Sequence, residues 1–139
     1  MILTRRNALV LALGSVAAAA IPVSAFAAVD EAVAAFTGGA EVVVGPGVTL
    51  TAPEIAENGN TVPVGVDAPG AVSIMILAAG NPTPAVATFI FGELAGAHMA
   101  STRIRLSKTQ DVIAIAKMPD GSFVRASSEV KVTIGGCGG

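Results

Sequence analysis

Glu129-Val130-Lys131-Val132-Thr133-Ile134 is the stretch that decides the fold. Polar and aliphatic residues alternate along it without a break. A strand turns successive side chains to opposite faces, so this spacing predicts a half-buried β-strand, polar side out and apolar side in. Two other segments read the same way. Val62, Val64 and Val66 alternate with Pro63 and Gly65, and Ser101, Arg103 and Arg105 alternate with Thr102, Ile104 and Leu106. Ala71 to Ala78 and Val112 to Ala116 are more uniformly apolar and read as strands of a sandwich interior. Turn signals punctuate these runs: Asn58-Gly59, which suits positive φ, then Asp67-Ala68-Pro69-Gly70 and Pro119-Asp120-Gly121. Gly80-Asn81-Pro82-Thr83-Pro84 reads as a rigid loop. About seven short strands with regular punctuation predict an all-β fold, an immunoglobulin-like antiparallel β-sandwich. One short helix over about 30–37 precedes it, with Asp30-Glu31 at its start and Gly38-Gly39 as its stop.

The predicted last strand runs straight into Gly135-Gly136-Cys137-Gly138-Gly139. Cys137 is the only cysteine in the chain, and two glycines flank it on each side. Glycine lacks a Cβ, so such a tail is thin and flexible, and the strand behind it gives it a fixed root. Fully extended, the two residues between Ile134 and Cys137 put the thiol about 10 Å from the sheet. That reach lets a thiol enter a cleft that the domain itself cannot enter. No Lys, Arg or His adjoins Cys137, and the terminal carboxylate is close, so the thiol is a modest nucleophile until an enzyme activates it.

The other end of the chain reads as a targeting segment. Arg5-Arg6 precede an Ala/Leu/Val-rich run from Ala8 to Ala20, then Pro22 and Ser24-Ala25-Phe26-Ala27-Ala28. This is a charged n-region, an apolar h-region and an A-x-A site, with cleavage expected after Ala27. The paired arginines suggest twin-arginine export of a folded protein. Thr4-Arg5-Arg6-Asn7-Ala8-Leu9 lacks the Phe common in such signals, so the ordinary secretory route stays open, and a membrane anchor over Ala8 to Ala28 is the further alternative. The division expected is 1–27 signal, 28–134 sandwich domain and 135–139 arm.

Losing residues 1–27 from 139 leaves 112; two of the eight basic residues go with them, and the net charge falls from −2 to −4. An acidic chain without a basic patch argues against nucleic acid, and no polybasic cluster marks a lipid-surface binder. Without Trp or Tyr and with five Phe, the core must be aliphatic. Ala71 to Ala78 and Val86 to Phe91 carry more apolar surface than one small domain readily hides, which predicts a partner face. Export puts the lone cysteine in an oxidising compartment, where it implies an intermolecular bond or a reactive thiol.

The sequence contains no nucleophile elbow, phosphate loop, Cys-x-x-Cys or His-Glu-x-x-His. One His and one Cys group no metal ligands, and no cofactor motif is present. His98, in Gly96-Ala97-His98-Met99, reads as a surface or rim residue. Glu54 and Glu57 could do acid–base work but read as a solvated loop. Arg103 and Arg105, with Lys108 beyond, put positive charge on one face of a strand. A solvated face that blocks edge-to-edge pairing explains them, and a docking patch for an acidic partner is the functional alternative.

These residues carry a resemblance. Val130-Lys131-Val132-Thr133-Ile134-Gly135-Gly136-Cys137-Gly138-Gly139 is similar to the ending of the SoxY family, the sulfur-carrier subunits of the periplasmic thiosulfate-oxidising (Sox) system. The segment from Ala52-Pro53-Glu54-Ile55-Ala56-Glu57-Asn58-Gly59-Asn60-Thr61 to Val64, the stretch from Asn81-Pro82 to Phe91, and Ser101 to Leu106 resemble that family too. The resemblance implies that Cys137 is the covalent attachment point for sulfur and that Gly135, Gly136, Gly138 and Gly139 form a swinging arm. It implies that a c-type cytochrome, SoxAX, joins thiosulfate to the cysteine. A manganese hydrolase, SoxB, would remove sulfate, and a sulfane dehydrogenase, SoxCD, would oxidise the remaining persulfide sulfur. It also implies a stable heterodimer with SoxZ and a periplasmic location, with no catalytic step in this chain. The rival reading is an exported structural β-sandwich that dimerises through a Cys137–Cys137 disulfide. An enzyme with Cys137 as nucleophile is weakest, since no base is evident and a mobile arm is not preorganised.

Overall fold

The structure, a computed structural model, describes residues 24–135. The twin arginines, the apolar run after them, and Gly136, Cys137, Gly138 and Gly139 lie outside the described residues. Helix α1 spans Ser24–Thr37, then come strands β1 (Val42–Val44), β2 (Thr49–Thr51), β3 (Ile55–Ala56), β4 (Val62–Asp67) and β5 (Ser73–Ala78). The remaining strands are β6 (Ala85–Ile90), β7 (Met99–Ile104), β8 (Gln110–Lys117) and β9 (Phe123–Val132). The larger sheet has the order β1-β9-β8-β5-β6, with β3 also pairing with β9, and the smaller is β2-β4-β7. The long pairings are antiparallel, while β1 and β3 run parallel to β9. The sandwich predicted from alternation is therefore present. Strands of two or three residues, β1 to β3, are too short to show a period, so the sequence predicts about seven strands where nine form among the described residues.

The alternation sets the core. Val62, Val64 and Val66 of β4 and Ile104 of β7 face Ile74, Ile76, Val112, Ala114 and Val130 across the sandwich. Each fully buried aliphatic side chain of this size contributes about 1.5–3 kcal/mol. The uniformly apolar strands have a second reason. Met75 and Leu77 of β5 and Ile113 and Ile115 of β8 point to the other face of the larger sheet, where Ala32, Val33 and Phe36 of α1 cover them. The rings of Phe36 and Phe123 meet edge-on at 5.7 Å. Ala71 to Ala78 is thus no spare partner face, because β5 is buried on both sides, by the smaller sheet and by the helix. What β6 leaves exposed is narrower, chiefly Ile90.

Two local expectations need correction. The helix is longer than 30–37: it begins at Ser24, so Asp30 and Glu31 lie inside it and no acidic residue sits in its first turn. Alanines 25, 27 and 28 are strong helix formers and extend it backwards. It does stop at Gly38 and Gly39, where the Gly38 N–H donates to the Ala34 carbonyl at 2.8 Å. The last strand ends at Val132, two residues short of the predicted Ile134. Val132 is half-buried against the core, but Ile134 is exposed, so the alternation continues in sequence after the sheet has stopped.

Candidate functional site

The end of β9 is where the chain leaves the sandwich, and several backbone hydrogen bonds hold it there. Its antiparallel pairing with β8 finishes at Val130 opposite Gln110. Beyond that point β3 takes over, with Ile55 opposite Lys131 and Ala56 opposite Val132. The Lys131 N–H donates to the Glu54 carbonyl at 2.9 Å, and the Thr133 N–H to the Ala56 carbonyl at 3.1 Å. The Thr133 hydroxyl reaches the Glu57 carbonyl at 3.2 Å. Glu54 and Glu57 are therefore exposed at their side chains, as read from the sequence, while their carbonyls anchor the strand.

Gly59 forms the next tie. Its N–H donates to the Ile134 carbonyl at 2.8 Å, and its own carbonyl accepts from the Leu106 N–H at 2.7 Å. Asn58-Gly59 does open a turn, in which the Thr61 N–H donates to the Asn58 carbonyl at 3.4 Å and the Asn60 N–H to Asn58 Oδ1 at 3.0 Å, but Gly59 is buried and is absent from the glycines with positive φ. Its backbone also bridges two segments. The segment between β7 and β8 is the other wall. The Val132 N–H donates to Thr109 Oγ1 at 2.9 Å. A β-carbon built on Gly135 would lie 2.5 Å from the Ser107 carbonyl oxygen. Gly135, expected to serve flexibility, also permits a close approach.

A polar network shapes that wall. Asn81 Oδ1 accepts from the Ser107 N–H at 3.0 Å, the Ser107 hydroxyl at 3.2 Å and Gln110 Nε2 at 2.9 Å. Asn81 Nδ2 donates to the Arg105 carbonyl at 2.7 Å. Gln110, buried at 7 % exposure, accepts from the Gly80 N–H and donates to the Lys108 carbonyl, both at 2.9 Å. Sequence reasoning missed Asn81, Ser107 and Gln110 as site residues. The signal available was a buried-strand pattern that opens on a polar Gln110, next to a loop rich in turn residues.

Arg103 and Arg105 both occupy outward positions along and just beyond β7, and both are exposed. Arg103 lies opposite Pro63 and lines a shallow depression on the smaller sheet with Thr51, Met99 and Ser101. Arg105 sits at the base of the wall that faces Gly135, two residues before Ser107, so the stripe runs towards the point where the chain leaves the fold. Lys108 is exposed on the same connection. His98 is half-buried, at the rim. Its Nδ1 hydrogen-bonds the Ala71 carbonyl, which can only accept, so Nδ1 carries the proton. Its ring lies against Phe91.

Among the described residues no group of three or more His, Cys, Asp or Glu is placed to hold a metal ion. No described helix is long and apolar enough to cross a membrane. What the described residues form here is a braced strand end.

A family model described as "Sulfur oxidation protein SoxY" matches residues 33–137. The structure of the sulfur carrier protein SoxY from Chlorobium limicola f thiosulfatophilum is 37% identical, covers 78% of this chain and 98% of its own, and superposes with a TM-score of 0.67. The superoxide reductase (neelaredoxin) from Ignicoccus hospitalis is 18% identical, covers 61% of this chain and 79% of its own, and gives a TM-score of 0.54, a likeness of fold alone. Comparison with curated proteins found no match.

Proposed function

The chain belongs to the SoxY family of sulfur oxidation proteins, and from that premise we propose that it is a sulfur carrier holding thiosulfate-derived intermediates on Cys137. The observation that carries the reading is the position of the chain's only thiol, two residues beyond Gly135 and five beyond the end of the last strand, in a chain 37% identical to a protein described as a sulfur carrier.

The chemistry follows from one cysteine thiol. Cys137 Sγ and the outer sulfur of thiosulfate form an S–S bond, and the two electrons released pass to an oxidising partner, SoxAX in the family's system. The product is a cysteine S-thiosulfonate. Water then cleaves the S–SO3 bond at SoxB, releasing sulfate and two protons and leaving a persulfide on Cys137. SoxCD, where present, oxidises that persulfide sulfur. This chain contributes attachment, reach and delivery, and no proton transfer is assigned to its own side chains. The glycines 135, 136, 138 and 139 keep the backbone narrow enough to enter each partner. Arg103 and Arg105 form a docking patch for acidic partner surfaces. The protein works in the periplasm as a SoxZ heterodimer after twin-arginine export.

The test is intact mass after incubation with thiosulfate and the oxidising partner. A carrier gains sulfur and sulfonate adducts that map to Cys137. A structural dimer shows only the doubled mass of a Cys137–Cys137 disulfide, which would overturn the reading.

A further inference from the structure

We propose that Asn81 is the positioning residue of the carrier arm: its side-chain amide shapes the connection between β7 and β8, and that connection sets where and in which direction the chain leaves the sandwich at Gly135. The inference rests on the carrier reading for its functional consequence, though not for its geometry.

The connection has little structure of its own. β7 ends at Ile104 and β8 begins at Gln110, so Arg105 to Thr109 lie between the two ladders. The Asn81 amide spans this gap. Its oxygen takes two donors from Ser107 and one from Gln110, and its nitrogen donates to the Arg105 carbonyl. The Ser107 N–H can only donate and the Arg105 carbonyl can only accept, so the amide is locked in one orientation. Gln110 closes the circuit by bonding the Gly80 N–H and the Lys108 carbonyl. Pro82 follows Asn81 directly, and the Ala78 carbonyl accepts from the Asn81 N–H at 3.2 Å, so the residue's backbone is held too.

The same connection touches the departing chain at three places. Thr109 Oγ1 accepts from Val132 N–H, the Leu106 N–H reaches Ile134 through the Gly59 backbone, and the Ser107 carbonyl abuts Gly135. Each contact is made by a residue whose position depends on the Asn81 bonds on either side of it. Without the amide, the Ser107 N–H and the Arg105 carbonyl lose their Asn81 partner, the ties from Gln110 to Lys108 and from the Ser107 hydroxyl to Gly80 remain, and the abutment of the chain at Ile134–Gly135 is loosened. A short arm depends on its starting direction, because few residues remain to correct an error.

The experiment compares the full mature chain, its Asn81→Ala variant and Gly135→Ala, which presses on the Ser107 carbonyl from the other side and removes no side chain of the network. Spin labels on Cys137 and on Asp111→Cys, an exposed position on β8, report the label–label distance distribution. Separate unlabelled samples are assayed for thiosulfate loading with the oxidising partner and for alkylation by iodoacetamide. Asn81→Ala is expected to shift or broaden the distance distribution and to cut enzymatic loading at least tenfold, with alkylation unchanged within twofold. Gly135→Ala is expected to do the same. An unchanged distribution in folded Asn81→Ala overturns the proposal. Should that variant not fold, an unchanged distribution in Gly135→Ala overturns it instead. The distance measurement needs no sulfur transfer, so failure of wild-type loading refutes the carrier reading and leaves the positioning result standing.

Discussion

Gly135 backs directly onto the carbonyl of Ser107: a β-carbon on Gly135 would sit 2.5 Å from that oxygen, with backbone on both sides of the contact. Neither atom belongs to a flexible side chain, so a substitution must move the chain end or the connection. The chain end is the cheaper of the two, since Asn81 and Gln110 hold the connection from behind.

Gly135→Ala should therefore displace Ile134 from Gly59. The Gly59 N–H, which now donates to the Ile134 carbonyl, should exchange with deuterium faster. The loss of global stability should stay at about 1 kcal/mol, because only one peripheral hydrogen bond is broken. Amide exchange read by NMR checks this, and an unchanged Gly59 rate refutes it.

Cys137→Ser should abolish thiosulfate-dependent sulfur loading while stability stays within about 0.5 kcal/mol of the parent, as expected of a position beyond the last strand. In sequence it lies five positions beyond Val132, where the last strand ends. Urea denaturation and intact mass together decide the matter.

Phe36→Ala should destabilise the domain by about 2 kcal/mol, less than a fully buried Phe, because Phe36 is half-buried. It covers the outer core and meets Phe123 edge-on. A change near zero in the denaturation midpoint would mean that α1 does not seal that face.

The Asp120 carboxyl should titrate below its ordinary 3.8, because the Ser122 hydroxyl, and after it the Ser122 N–H, donate to it. A depressed folded-state pKa stabilises the fold above the unfolded value, and this contribution fades as pH falls through the folded pKa. The group is fully exposed, so the effect on stability is small. Ser122→Ala should bring the carboxyl back towards 3.8, read by NMR titration of the Asp120 side chain; a titration curve that does not move counts against the bond.

Arg5→Lys with Arg6→Lys should leave precursor inside the cell if export uses the twin-arginine route. Fractionation and immunoblotting check it, and mature protein outside at normal level would favour the ordinary secretory route.

Local pattern and burial coincide where a strand has one wet face. Val62, Val64 and Val66 alternate because β4 has the core on one side and solvent on the other, and that is legible in a single chain. The apolar runs of β5 and β8 announce burial but not its cause; only the tertiary structure shows a helix from the far end of the described chain lying over one face. The lone cysteine among glycines is equally plain in the sequence. What braces the arm is not. Asn81 lies 24 to 29 residues from the partners of its side chain, and Gly59 lies 75 positions before Ile134. No periodicity links such residues, because each contact depends on how the strands between them are laid side by side. Even the unbroken alternation through Ile134 outlasts the strand, since β9 ends where its neighbours run out rather than where its pattern does. The sequence by itself determined the sandwich, its aliphatic core and the glycine-flanked thiol, because each is a local property of neighbouring residues. The tertiary structure decided where the arm is rooted, because that depends on backbone groups brought together only after both sheets have formed.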